Sequence, residues 1–468
     1  MMFHPKNLTP IPGKLCLSGE VHATAHPCLS KPVILELWHS FSWECSSLSV
    51  TACDALVFSV GSAPTPPLNG CDYSMYIGTD GICIHAKTEQ ELVRGFVTLL
   101  DRFQAVERDG TLAVELACCR IEDTPTIRER MVHVCVFPET ELWELQRFIR
   151  LCGVLKYTHI VLEFWGTVQY TCMKELSWQM AYTKEQIAPL IEEAQSLGLE
   201  VTPMFNHWGH AAASRGMHGK HVVLDQNPSR QTYFTEDGWC WAIRKPKVRE
   251  LLRQIRGELM ELCGDGRYFH IGCDEAFGFD FSEESMTLIC DYINGITEEL
   301  AAHNRRAIVW GDMFLCHQPH YNAANTYTCN APSVEAQRFL LEHLDRRAII
   351  ADWQYEAPHA PVETAAVFKH AGFDCLLCPW DRGKDTVHAA ITTVGEQALM
   401  GFMHTTWHTL TCGMPYVALS AAWGYDGVDG RTMQQMYASA AAHYRRVMPV
   451  AGDYTKAGWS KIQVHSLW

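Results

Sequence analysis

Two adjacent carboxylates, Asp274 and Glu275, close the run YFHIGCDE, where an apolar stretch gives way to loop. Such a pair at the rim of a buried strand suits hydrolysis through a cationic transition state: one acid stays protonated as a donor while the other keeps its charge. Alone, the pair also fits a solvated loop or a helix N-cap. The strand-like run before it, ending in His270 and Gly272, favours chemistry. Other apolar runs end in the same kind of residue: Glu163-Phe-Trp165, Asn206-His-Trp-Gly-His210, Trp310-Gly-Asp312, Trp353-Gln-Tyr355-Glu356, Trp380-Asp381 and Trp407-His408. Tryptophan closes five of them, at 165, 310, 353, 380 and 407, and together these describe an aromatic box. Flat apolar walls are what the C–H faces of a sugar ring pack against.

The elements that would hold these residues follow a rhythm. From residue 131, eight short β-rich runs alternate with amphipathic helical patterns: MVHVCVF, HIVLEF, LEVTPMF, YFHIG, AIVWGD, AIIADW, CLLCPW and GFMHTTW. In the helix expected over 183–198, Thr183 and Gln186 have capping-box spacing and Ile187, Leu190, Ile191 and Ala194 form the apolar stripe. Further helices are expected at 139–155, 247–262, 284–302, 333–345, 361–371, 385–399 and 431–447, one for each strand. Eight strand-then-helix units in series are the signature of a (β/α)8 TIM barrel, an α/β fold whose active site forms at the C-terminal ends of its strands. A doubly wound sheet is less favoured, because no glycine-rich phosphate loop follows any strand. The first 120 residues read as a small α+β domain with strands at PVILELW, CDALVFSV, YSMYIG and GICIHAK and a helix over 88–105. The expected division is 1–122 for this domain and 123–468 for the barrel, near the break at Asp123 and Pro125.

Composition narrows the function. A net charge of −15 argues against a nucleic-acid or anionic-membrane partner, and no run approaches the length of a membrane span. The segment MMFHPKNLTPIPGKLCL lacks the apolar core of a secretory signal, so the 20 cysteines are expected as reduced thiols in a cytoplasm. His207, His210 and His270 invite a metal, but barrel metallohydrolases usually carry H-x-H on strand 1, and this strand offers His133-Val-Cys135. The expectation is therefore no metal. Cys375-Leu-Leu-Cys378 lies inside a strand without a second pair and reads as core.

HIGCDE resembles the H-x-G-G-D-E signature of glycoside hydrolase family 20, the β-N-acetylhexosaminidases. The resemblance extends over most of the chain. CDYSMYIGTDGICIHAKTEQELVRGFVTLL is similar to the end of the family's small leading domain, DTPTIRERM to the entry of strand 1, and VTPMFNHWGH to the strand-3 segment ending in Gly209-His210. It implies substrate-assisted retention, in which the 2-acetamido oxygen of the sugar attacks C1. Asp274 would hold the acetamido N–H, Glu275 would act as acid and then base, and Tyr355 would bind the acetamido oxygen. Arg130, Glu163, His210 and Asp312 would contact the sugar, and Trp310, Trp353, Trp380 and Trp407 would wall its pocket. The chain departs from the family pattern at Cys273 (a glycine), at Met131 and His133 (a glycine and an aspartate), and at Thr409 (a glutamate).

The resulting expectation is an exo-hydrolase releasing terminal β-linked N-acetylglucosamine or N-acetylgalactosamine, with no cofactor; self-association is left open. The alternatives are a related hydrolase of altered sugar specificity and a non-catalytic sugar binder. Against the binder stands the retention of both acids. Adjacent residues on an extended chain face opposite ways, so Asp274 and Glu275 are poorly placed to be nucleophile and acid across one bond.

Overall fold

The computed structural model describes residues 2–212, 220–407 and 410–447. His408 and Thr409 lie outside the described residues, and so does the departure noted at Thr409. Eight leading strands form one sheet: β1 (Asn7–Leu17), β2 (Gly19–Ala25), β3 (Ser46–Ala52), β4 (Val57–Gly61), β5 (Tyr73–Gly78), β6 (Gly81–Ala86), β7 (Gln104–Arg108) and β8 (Thr111–Asp123). Their order is β1-β8-β5-β6-β4-β2-β3, with β7 paired to β8. Two helices, Pro32–Phe41 and Glu89–Asp101, pack on it, with Trp38 wedged between Phe58 of β4 and Phe96 of the second helix. Thr88 caps that second helix through the Glu91 N–H.

PVILELW, expected as a strand, is the first of these helices. Its buried residues Val33, Ile34, Leu37, Trp38 and Phe41 follow helical spacing, and Pro32 suits the first turn, whereas the Val-Ile pair alone had favoured a strand. The strands β1, β2, β3, β7 and β8 lie outside the expected set, and β7 begins inside the last turn expected of the helix over 88–105. In β1 two prolines, a glycine and a largely exposed surface hide the strand period.

The second half closes into a parallel barrel of eight strands: β9 (Glu129–Val136), β10 (His159–Phe164), β11 (Glu200–Met204), β12 (Tyr268–His270), β13 (Arg306–Trp310), β14 (Ile349–Asp352), β15 (Asp374–Leu377) and β16 (Gly401–His404). Every expected barrel strand is present within a few residues of its expected limits. Met131, Val161, Met204, Ile308, Ile349, Leu376 and Met403 fill the interior as a core of their own, topped by Trp310. The capping box of the helix Lys184–Ser196 forms as expected, with Thr183 accepting from the Gln186 N–H and the Gln186 side chain returning to the Thr183 N–H.

The helix following β16 differs. It is Met414–Asp426, and the anticipated helix near the C-terminus, Met433–Arg446, is an extra one packed beyond it. Met414–Asp426 is buried nearly all round, so it has no polar face and no amphipathic stripe to reveal it.

Candidate active site

The loop after β12 is turned sharply. Gly272 (φ 66°), Cys273 (φ 75°) and Glu275 (φ 44°) all take left-handed conformations. A side chain at Gly272 would collide with Asn206, which sets why glycine stands there. The turning corrects the extended-chain expectation: Asp274 and Glu275 do not face opposite ways but converge on one imidazole. His210 Nε2 lies 3.3 Å from Asp274 Oδ2 and 3.2 Å from Glu275 Oε2. Asn206 Nδ2 donates to the other Asp274 oxygen at 2.8 Å. Against the burial that would raise it, the charges of His210 and Lys220 hold the Asp274 carboxyl down to about 2. Against the burial that would lower it, Asp274 and Glu275 hold His210 up to about 9. Asp274 is almost buried, while the Glu275 side chain keeps 29% exposure, enough to meet a ligand and solvent.

Backbone contacts fix this loop from three sides. Gly209 lets the exit of β11 lie directly against it, since a Cβ there would stand 2.1 Å from the Asp274 carbonyl oxygen. Trp239 Nε1 donates to the Glu275 carbonyl at 2.6 Å. The Glu275 N–H donates to Asp312 Oδ2 at 2.9 Å. Asp312 also accepts from Asn330 Nδ2 (2.8 Å) and from Trp353 Nε1 (3.0 Å). Asp312 is thus placed behind the acid as a tie between its backbone and an aromatic wall. Burial and the Asp274 charge push its carboxyl up to about 7.

The expected aromatic residues form a connected surface. Trp310 is fully buried, with its ring 6.1 Å from Trp407. Trp407 Nε1 donates to the Tyr355 hydroxyl oxygen at 2.8 Å, and the Tyr355 ring lies 5.1 Å from both Trp353 and Trp380. Burial keeps Tyr355 protonated, its pKa well above the usual phenol value.

Glu163 sits at the end of β10 in a dry polar cluster. It accepts from His133 Nε2 (2.9 Å), Cys135 Sγ (3.3 Å) and Lys220 Nζ (2.5 Å). His133 and Cys135 share the inner face of β9, and Cys135 pairs with Glu163 across the two parallel strands. These three donor atoms lie close enough to hold a metal ion. The Lys220 ammonium already supplies positive charge to that carboxylate, however, and burial beside Glu163 keeps the Cys135 thiol well above its usual pKa. The arrangement is that of a hydrogen-bonded cluster around one carboxylate. His207, His210 and His270 form no such group among the described residues, and Cys375 and Cys378 are buried free thiols.

Arg130 requires correction. It lies at the start of β9, at the opposite end of the barrel from the acids, and its guanidinium donates to the carbonyls of Ile127, Arg128 and Lys156. With that guanidinium buried over the Tyr425 ring, it is a structural residue. Conversely, Lys220, Trp239 and Asn330 were missed. They come from loops without periodicity, and their partners are 57, 36 and 18 residues away in sequence. No local signal marks them.

Residues 161–381 match the model of the glycosyl hydrolase family 20 catalytic domain. No curated protein matches the chain by sequence. Among solved structures, the chain is similar to an exo-β-N-acetylglucosaminidase of Vibrio harveyi bound to N-acetylglucosamine (TM-score 0.67, 14% identity, 96% of this chain and 77% of that one). It is also similar to a β-N-acetylhexosaminidase of Bacteroides fragilis (TM-score 0.65, 13% identity, 94% and 93%). A third is the N-acetyl-β-hexosaminidase of Streptomyces plicatus in complex with Thio-NAglucal (TM-score 0.64, 15% identity, 95% and 94%). At these identities the likeness speaks for the fold: a barrel behind a small α+β domain. The segment that matches this family model carries Glu163, His210, Asp274, Glu275, Asp312 and Tyr355, and it runs from the second to the seventh strand of the closed barrel.

Proposed function

We propose that this protein is an exo-acting β-N-acetylhexosaminidase that removes terminal β-linked N-acetylglucosamine or N-acetylgalactosamine with help from the substrate's own acetamido group. The observation that carries this reading is the shared imidazole: Asp274 and Glu275 both reach within 3.3 Å of His210 Nε2. We read a pair that shares one imidazole as serving a single task together, rather than as a nucleophile and an acid supplied from different strands about 5–5.5 Å apart across the bond. They can do so if the nucleophile comes from the sugar. Asp274, kept ionised by His210 and Lys220, grips the acetamido N–H and stabilises the positive charge that grows as its oxygen attacks C1. Glu275, the more exposed acid, protonates the leaving oxygen and then takes a proton from water. Tyr355 accepts from Trp407 and so keeps its own hydrogen to give to the acetamido oxygen. Trp353, Trp380 and Trp407 pack on the sugar's apolar faces, while the fully buried Trp310 backs Trp407 from the barrel interior rather than meeting the sugar.

Residues 1–122 would stand as a leading unit before the catalytic 123–468. All 20 cysteines are free thiols, in keeping with a reducing compartment such as the cytoplasm. Among the described residues no helix is long and apolar enough to cross a membrane. The decisive assay compares aryl 2-acetamido-2-deoxy-β-glycosides with the matching 2-hydroxy glycosides. The former should turn over, the latter should be nearly inert, and a thiazoline mimic of the cyclic intermediate should inhibit strongly. Comparable hydrolysis of both, or indifference to the thiazoline, would overturn the mechanism.

A further inference from the structure

With Arg130 committed to carbonyls at the far end of β9, the pocket lacks the cation that was expected to meet sugar hydroxyls. Another cation stands near the exit of the same strand. Lys220 Nζ lies 5.2 Å from the ring centroids of both Trp165 and Trp407, which follow the flanking strands β10 and β16. Lys220 is only 4% exposed. Among the described residues its ammonium has one hydrogen-bond acceptor, Glu163 Oε1. An ammonium carries three donors, so among the described residues two N–H groups have no oxygen acceptor and face only the two tryptophan rings, in a place nearly closed to water. Leaving them so is costly unless an oxygen arrives.

Glu163 is not the group that would receive a hydroxyl hydrogen. Its carboxylate already accepts from His133, Cys135 and Lys220, and each of those side chains is buried. Its geometry is that of a holder. His133 is fixed in turn by the Trp407 ring, 4.6 Å away. The cluster thus sets a cation against the face of a pocket-wall tryptophan, with donors to spare.

We propose that Lys220, positioned by Glu163, His133 and Cys135, is the specificity-determining donor to a ring-hydroxyl oxygen of the bound N-acetylhexosamine. The inference rests on the hexosaminidase reading and adds to it the residue that reads the sugar away from C1 and C2. The ligand is an uncharged sugar: Lys220 is offset by Glu163 and His210 by Asp274, so no net positive charge awaits an anion.

The test is a cycle between protein and ligand. Binding of N-acetylglucosamine and its 3-, 4- and 6-deoxy analogues is measured calorimetrically for the wild type, Lys220→Met and Lys220→Met/Glu163→Gln. The double variant removes the buried unpaired carboxylate that the single variant leaves, so a folded protein is available even if the single variant is unstable. In the wild type, one deoxygenation should weaken binding about 10–100-fold, as expected for losing a charge-assisted hydrogen bond. In the lysine variants that same deoxygenation should cost almost nothing, while the other two keep their wild-type cost. A merely structural lysine would not single out one hydroxyl. If every deoxygenation costs the same factor in all proteins, Lys220 does not read the sugar and the proposal falls alone. If the wild type neither binds N-acetylglucosamine nor cleaves an aryl 2-acetamido glycoside, the functional reading falls and takes the proposal with it.

Discussion

A methyl group at Gly209 should disable the site from behind without touching any substrate. Gly209 lies where the exit of β11 meets the loop after β12, and a Cβ built on it would stand 2.1 Å from the Asp274 carbonyl oxygen, 3.2 Å from the Glu275 carbonyl carbon and 3.3 Å from the Ala276 nitrogen. Ordinary contact begins near 3.5 Å, so the Asp274 carbonyl must retreat by more than about 1 Å. All three obstructing atoms are backbone, so no side chain can swing aside. The loop is also tied by Asn206 to Asp274, by Asp312 to the Glu275 N–H and by Trp239 to the Glu275 carbonyl, and a shift that relieves the clash strains one of these. Displacing a catalytic group by about 1 Å costs on the order of 10²-fold in rate, and overpacking costs about 1–3 kcal/mol of stability. Gly209→Ala should therefore fold with a lower Tm and show kcat on an aryl 2-acetamido-2-deoxy-β-glucoside reduced about 100-fold, with KM changed far less, because the tryptophan walls stay in place. Gly257 in the helix Pro246–Cys263 has nothing within 4 Å of its added Cβ and serves as the control. Alanine there should leave kcat unchanged and stabilise by up to about 1 kcal/mol. A folded Gly209→Ala enzyme with wild-type kcat would refute the claim that this contact sets the position of the acid pair.

Glu275→Gln should lower kcat for natural glycosides about 10²–10⁴-fold and much less for aryl glycosides with activated leaving groups, which need little protonation; equal losses on both would remove Glu275 from the role of acid. His210 gives a pH signature in stability. Its folded pKa of about 9 lies above the unfolded value of about 6.5, so its contribution is fully present below pH 6.5 and lost as pH rises through 9. That difference corresponds to roughly 3 kcal/mol, and denaturant unfolding at pH 6 and pH 10 should show the wild type losing more stability than His210→Asn. Parallel losses in the two proteins would show that the imidazole is not held by the acid pair.

The barrel was legible because its signal is periodic. Eight apolar runs of strand length recur between amphipathic helices, and each run carries its polar residue at the C-terminal end, where a parallel barrel must open. Legibility failed wherever burial was complete. Met414–Asp426 is covered on nearly every side and shows no stripe, and the buried helix Pro32–Phe41 begins with β-branched residues that read as a strand. Neither is a weak element. Both lack the polar face from which a helical period is recognised.

The site was half legible for a different reason. Asp274, Glu275 and His210 stand at strand ends whose neighbours in sequence are also their neighbours in space, so a short motif places them. Arg130 also stood beside a motif, but adjacency to a strand does not say which end of it a side chain serves. Six residues separate Arg130 from Val136 at the exit of β9, about 20 Å at the rise of an extended chain, and that distance spans the barrel from floor to rim. Lys220 shows the converse. It belongs to no strand, and its meaning comes from Glu163, 57 residues earlier, and from two tryptophan rings on strands that flank β9. In the function proposed here, the residues assigned to chemistry at C1 and C2 of the sugar are contiguous, whereas the residue assigned to a far hydroxyl depends on which loop delivers a charge to a given strand end. The first can be carried from one family member to another by motif; the second has to be read from the folded chain.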